Sequence, residues 1–159
     1  MDAIIFELNK QNFACRLSDI SEILMMMTLH SIPQAPDFIE GVFNLRGLMV
    51  PVIDLSKRLG YVRNLPPPRI NESEETLSHF QNNTRMLIIT INELQIGMII
   101  DGIKNVIDIK KESQHQSVVT DNALPDYVNG ISIQDQGIIQ IVHLKKVLTS
   151  EELSVLRNT

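Results

Sequence analysis

The sequence predicts a mostly β protein: two five-stranded β-barrel subdomains related by internal duplication, with short helices and a C-terminal helix. Three observations point there. Apolar residues fall in short runs rich in aliphatic and β-branched side chains, divided by polar or Gly/Pro positions, which is strand patterning. The segment Pro36-Asp37-Phe38-Ile39-Glu40-Gly41-Val42 returns as Pro125-Asp126-Tyr127-Val128-Asn129-Gly130-Ile131, 89 residues later. Sets of about five short strands are best closed into barrels, because closure removes the open edges that promote aggregation.

Each element has its own warrant. In the first copy, strands are expected near Ala3 to Leu8, Phe13 to Leu17, Ile23 to Leu29, Val42 to Leu45 and Leu48 to Ile53, with a short helix over Leu55 to Leu59. Pro51 cannot donate a ladder hydrogen bond, so it belongs at an edge or a bulge. The second copy supplies strands near Arg85 to Ile91, Leu94 to Ile100, Val106 to Ile109, Gly130 to Ile133 and Gly137 to Val142, then a helix near Leu144 to Leu148. The repeat register persists through them. At the offset of 89, Val50, Val52, Ile53, Leu55, Lys57 and Leu59 meet Ile139, Ile141, Val142, Leu144, Lys146 and Leu148; upstream, Phe13, Leu17, Ile20, Ile23 and Leu24 meet Ile96, Ile100, Ile103, Val106 and Ile107 at an offset of 83. Two copies do not make a stacked array, which needs about three or more units. The expected organisation is one domain over 1–159: a first copy over about 1–60, a linker or loop over 61–84, and a second copy over about 85–148 followed by a helix over 150–157.

The segment 61–84 holds Pro66-Pro67-Pro68 and the acidic residues Glu72, Glu74 and Glu75. Tandem prolines stay extended and the acidic part has little to bury. A marginal helix over Ser73 to Gln81 would have Ser73 and Thr76 as rival caps. At the other end, Thr149-Ser150-Glu151-Glu152-Leu153 starts a helix with a hydroxyl cap and an acidic first turn.

Composition excludes several function classes. The chain has 159 residues, 43% of them hydrophobic, enough for a sizeable core. A net charge of −5 gives no electrostatic support for binding nucleic acid. No stretch approaches the roughly 18 consecutive apolar residues of a membrane helix. A single cysteine and an N-terminus without a basic flank point to the cytoplasm, with no direct membrane insertion.

Reactive chemistry is sparse. His30, His79, His115 and His143 are far apart and form no H-x-x-x-H pair, so no metal site is expected. Cys15 lies among apolar neighbours and reads as a small buried hydrophobe. Gly97-Met98-Ile99-Ile100-Asp101-Gly102 has phosphate-loop glycine spacing, but Ile103 stands at the required lysine, so it is a strand ending in a turn. Asn71-Glu72-Ser73 and Asn82-Asn83-Thr84 match the glycosylation pattern by coincidence. Met25-Met26-Met27 could form a plastic recognition surface; strand residues with two of the three facing the core is the preferred reading. Asp54 and His143 occupy matching places in the copies, and Asp54, at a strand-to-helix junction, reads as a helix cap.

The segment Gly41-Val42-Phe43-Asn44-Leu45-Arg46-Gly47-Leu48-Met49-Val50-Pro51-Val52-Ile53-Asp54-Leu55 closely resembles the signature of the CheW family, G-V-x-N-L-R-G-x-x-x-P-x-x-D-L. Ile20-Ser21-Glu22-Ile23 is similar to the family's V-x-E-I stretch, Asp101-Gly102-Ile103-Lys104-Asn105-Val106 to its D-x-V-x-x-V stretch, and Ser150-Glu151-Glu152-Leu153 to its usual ending. The resemblance spans nearly the whole chain, with no attached kinase, receiver or receptor segment. It implies two five-stranded barrels and a non-catalytic adaptor with no cofactor. The implied partners are the cytoplasmic hairpin tip of a chemoreceptor and the regulatory domain of the histidine kinase CheA, at receptor arrays on the inner face of the membrane. The adaptor would transmit receptor occupancy to the kinase by holding the two together.

Carried residue by residue, the family's working surface falls on Ile20, Glu22, Gly41, Asn44, Leu45, Arg46 and Gly47. Arg46 in the turn Leu45-Arg46-Gly47 should project from the barrel, where a guanidinium can hold a carboxylate or a partner backbone. The family pattern suggests Glu22 as its mate in a partly exposed salt bridge. Gly41 and Gly47 are expected to shape the backbone more than to make contacts. Exposed apolar residues near Ile20 and Leu45 would receive a receptor helix, in an interface of about 1,200 Å² or less. The 61–84 segment is longer than the family pattern, and Gln140 and His143 stand where the pattern is aliphatic and acidic. An adaptor for a non-flagellar array, such as one controlling pili, is an alternative reading; a small β-barrel enzyme would need a pocket of convergent titratable groups.

Overall fold

Why the central strands carry unbroken apolar runs becomes clear from their neighbours in the computed structural model, which describes residues 2–61, 83–109, 114–115, 127–134 and 137–158. Strands β1 (Asp2–Leu8), β2 (Gln11–Arg16), β3 (Ile20–Met25), β4 (Ile39–Leu45) and β5 (Leu48–Asp54) lead into helix α1 (Leu55–Arg58). Strands β6 (Arg85–Ile91), β7 (Leu94–Ile100), β8 (Gly102–Asp108), β9 (Gln114–His115), β10 (Val128–Gln134) and β11 (Gly137–Val142) follow, and α2 (Ser150–Arg157) comes last. On β1, Ile4, Phe6 and Leu8 join the largest apolar cluster while Ala3 and Ile5 face the other way into a second one. On β6, Leu87, Ile89 and Ile91 meet the same large cluster, while Met86 and Ile88 fill a third. Side chains alternate between faces along a strand. A strand covered on both faces therefore has to be apolar throughout.

The repeat copies do not fold side by side. One sheet runs β8-β1-β2-β11-β10-β9 and the other β3-β6-β7-β5-β4. Each therefore joins the N-terminal hairpin of one copy to the remaining strands of the other: β1-β2 with β8 to β11, and β6-β7 with β3 to β5. The exchange is made by parallel pairing: Val52, Ile53 and Asp54 of β5 face Gly97, Met98 and Ile99 of β7, and Gln140 and Ile141 of β11 face Phe13 and Ala14 of β2. Hairpins β1-β2 and β6-β7 are apolar on both faces, and crossing over sandwiches each between the other sheet and its own barrel interior.

Each sheet then closes in the same way. After β3 the chain turns to β4, where His30 donates its N–H to the Val42 carbonyl at 2.8 Å and accepts the Val42 N–H at 3.0 Å. After β8 the chain reaches β9, whose His115 pairs with Ile131. The expected barrels are thus two curled sheets, one of five strands and one of five plus the two-residue β9.

Several local expectations meet the structure directly. Pro51 sits where β5 has only β4 beside it, since pairing to β7 starts at Val52. Gly97 to Gly102 is β7 ending in a bend before β8. Asp54 caps α1, its Oδ1 accepting the Ser56 N–H at 3.0 Å. His143, its repeat counterpart, makes no side-chain cap, and only a 3₁₀ turn, Leu144–Lys146, follows instead of the expected helix to Leu148. Thr149 and Glu152 form a reciprocal capping box at α2.

Other expectations shift. The third strand starts at Ile20 and ends at Met25 rather than spanning Ile23 to Leu29, because its partner β6 begins at Arg85, directly opposite Met25. Met25 and Met27 point outward and Met26 alone of the three is buried, the reverse of two facing the core. The marginal helix over Ser73 to Gln81, the glycosylation-like asparagines Asn71 and Asn82, and His79 lie outside the described residues.

Candidate functional site

The turn between β4 and β5 is two residues long, Arg46 at φ 50° and Gly47 at φ 89°. Two positive φ values make it a type I′ turn, whose twist matches the flanking strands. Asn44 locks it: its Oδ1 accepts the Gly47 N–H at 2.8 Å. The turn thus holds Arg46 at the outer end of the five-stranded sheet, its side chain 68% exposed.

Arg46 reaches Glu22 on β3. Nη1 donates to Oε1 at 3.0 Å and Nη2 donates to Oε2, a two-pronged pairing that ties the turn to the start of β3. The guanidinium's hydrogen bond holds the Glu22 carboxyl below the usual glutamate range, and Glu22 in turn raises Arg46. Parallel N–H···O bonds between these planar groups fix geometry as well as charge.

Of the residues expected at this face, the structure brings Glu22, Asn44, Arg46 and Gly47 together. Ile20 lies two residues before Glu22, half-buried against the large cluster between the sheets. Gly41 is buried at the β4 bulge, where a Cβ would stand 2.7 Å from the His30 carbonyl oxygen and 3.0 Å from Leu29 Cβ. It shapes the surface by letting β4 close on His30. Leu45 corrects the expectation: it points into the five-stranded sheet among Phe43, Val50 and Met86, and is not an exposed contact. The exposed apolar residues here are Ile23 and Met25 on β3, Met27 just beyond it, and Leu48 and Met49 on β5. Sequence reasoning missed them because the outer face of β3, Ser21-Ile23-Met25, is nearly as apolar as its inner face; the methionine triplet was the available signal.

A second ion pair braces the scaffold. Arg58 of α1 donates through Nη1 and Nη2 to the two carboxylate oxygens of Glu152 on α2, at 2.6 and 2.5 Å, and through Nε to the Val147 carbonyl at 2.7 Å. Lys57 donates to the buried Glu40 at 2.7 Å.

Cys15 and His143, two of the titratable candidates that the structure describes, each have a local environment that accounts for them. Burial pushes the Cys15 thiol up to about 12, with the Asp19 charge adding to it. His143 receives its neighbours from β2 and the turn after it: Arg16 Nη2 lies 3.5 Å from its Nε2, and Arg16 also pairs with Asp19. Burial lowers the His143 pKa. Among the described residues no three His, Cys, Asp or Glu side chains gather to hold a metal ion, and no helix is long and apolar enough to cross a membrane.

The profile of the CheW-like domain matches residues 2–152. The chain belongs to the CheW-like domain family. The chemotaxis protein CheW of Treponema pallidum is 28% identical over 156 residues, covering 98% of this chain and 86% of that protein. The chemotaxis protein CheW of Bacillus subtilis is 29% identical over 151 residues, covering 93% and 86%. The crystal structure of the scaffolding protein TtCheW from Thermoanaerobacter tengcongensis superimposes with a TM-score of 0.71 at 26% identity, covering 95% of this chain and 89% of that one. The CheW-like fold is thus the frame on which the Glu22–Arg46 pair is displayed.

Proposed function

We propose that this chain is a non-catalytic chemotaxis adaptor that links the cytoplasmic tip of a chemoreceptor to the regulatory domain of the histidine kinase CheA and so transmits receptor control of kinase activity. It acts in the cytoplasm, recruited to receptor arrays at the inner face of the membrane. The observation that carries this reading is the Glu22–Arg46 pair, held by a locked turn at an exposed end of a rigid sheet. A charged pair so placed contributes partner specificity far more than fold stability. Membership of the CheW-like family and the chemotaxis and scaffolding names of its relatives support the same role.

The working surface is taken to be Glu22, Asn44, Arg46 and Gly47, with Ile20 beside them and Gly41 shaping the strand beneath. Pull-downs with a separate receptor hairpin tip and a separate kinase regulatory domain test the reading. The wild-type chain retains both, and Arg46→Glu, still folded by circular dichroism, loses at least one. Retention of neither by the wild type overturns the adaptor role.

A further inference from the structure

The six methionines among the described residues divide evenly by environment. Met98 is sealed in the cluster between the sheets, and Met26 and Met86 inside the five-stranded sheet. Met25, Met27 and Met49 are 56%, 43% and 55% exposed. The exposed three are not scattered. Met25 ends β3, three residues after Glu22; Met27 follows it; Met49 stands on β5 directly opposite Asn44, the residue that locks the Arg46 turn. All three therefore lie on, or just past, the two elements that the Glu22–Arg46 pair ties together. The repeat places Asp108 and Ile138 where Met25 and Met49 stand, so the matching places on the six-stranded sheet carry no thioether.

A solvent-exposed thioether is readily oxidised to a sulfoxide, which turns a flexible apolar side chain polar and can be reversed enzymatically. We propose that Met25, Met27 and Met49 form a reversible oxidation site on the outer surface of the elements that carry the docking residues, and that their sulfoxides weaken docking beside them. The oxidant is a hydroperoxide. The sulfur gives an electron pair to the terminal peroxide oxygen, the O–O bond breaks as the S–O bond forms, and the departing oxyanion takes the proton of the transferred oxygen, leaving as an alcohol, or as water when the oxidant is hydrogen peroxide. A thiol-dependent sulfoxide reductase returns the thioether, its dithiol becoming a disulfide and the oxygen leaving as water. The proposal regulates the surface assigned above and so rests on the adaptor reading for its binding half.

The test treats the full-length protein with hydrogen peroxide and follows each methionine by peptide-mapping mass spectrometry. Oxidation of Met25, Met27 and Met49 is expected about tenfold faster than that of Met26, Met86 and Met98. Equal rates at the buried and exposed sets overturn the site. Affinity for the kinase regulatory domain and for the receptor tip is then read before and after treatment. In the wild type it falls about tenfold for at least one partner and returns on incubation with methionine sulfoxide reductases and dithiothreitol. In M25L/M27L/M49L, which keeps an apolar face without thioethers, the ratio of treated to untreated affinity stays near one. An unchanged affinity in fully oxidised wild type, or an equal fall in the leucine variant, refutes the regulation. If the untreated wild type binds neither partner, the adaptor reading and the regulation fall together, while the oxidation map still decides the site.

Discussion

Arg46 holds Glu22 through both terminal guanidinium nitrogens, Nη1 and Nη2, joining residues 24 positions apart across the open end of the five-stranded sheet. The pair is exposed, so its loss is expected to leave the fold intact and change recognition. Arg46→Glu should keep the wild-type circular dichroism spectrum and weaken partner affinity about tenfold or more, measured by calorimetric titration. The double variant E22R/R46E recovers binding only if the pair's geometry, rather than the sign of charge at Arg46, is what the partner reads.

The same pair sets a pH dependence. Arg46 holds the Glu22 carboxyl below its ordinary value, so the unfolded chain takes up that proton first as pH falls. The stabilisation is present above roughly pH 4.3, the value of a free glutamate, and disappears as pH drops through the lower native value. A carboxyl-detected NMR titration should give Glu22 a midpoint below that of an ordinary glutamate, and the midpoint should rise in Arg46→Ala.

Glycines at this face differ in what a methyl would cost. Gly41→Ala puts a Cβ against the His30 carbonyl and Leu29, both fixed by the bridge that closes the sheet. It is expected to cost about 3 kcal/mol in urea unfolding. Gly47 has open space around it and only its φ of 89° to defend, so Gly47→Ala costs about 1 kcal/mol and Gly47→Asn less.

The helix brace is a stability element. Arg58 and Glu152 are each largely shielded from solvent, and Glu152 also accepts the Thr149 N–H at 2.9 Å in the capping box. Glu152→Ala removes both and should cost about 3 kcal/mol, against about 2 kcal/mol for Arg58→Ala, by chemical denaturation.

Cys15 gives a check on the core. Its thiol stays protonated in the native chain up to about 12, against an ordinary value of 9.0. Native protein should resist a thiol-specific reagent at pH 8 and react fully when unfolded. Because the unfolded thiol ionises first, the native state loses stability as pH rises from about 9 toward about 12.

Much of this was legible in the residues. Strands β6, β7 and β11 match the apolar runs end to end, because Arg85, Leu94 and Gly137 mark sharp changes from loop to strand. The Glu22–Arg46 pair was readable only through the family signature; neither residue's neighbours name its mate. What local pattern could not carry was pairing. Nothing in Val52-Ile53-Asp54 says that it lies beside Gly97-Met98-Ile99 of the other copy, and a periodicity of two reports that a strand has two faces without saying what covers them. The outward methionines were hidden for the same reason: an apolar side chain looks identical whether it fills a core or waits on a surface.

The crossing of β2 onto β11 and of β7 onto β5 has a consequence for how the molecule can be taken apart. Neither half of the polypeptide owns a complete sheet, so a cut anywhere between Tyr61 and Asn83 leaves two fragments that can reach the native state only in each other's company. A force applied to one sheet is borne by chain that began in the other, and the molecule answers its surroundings as one body.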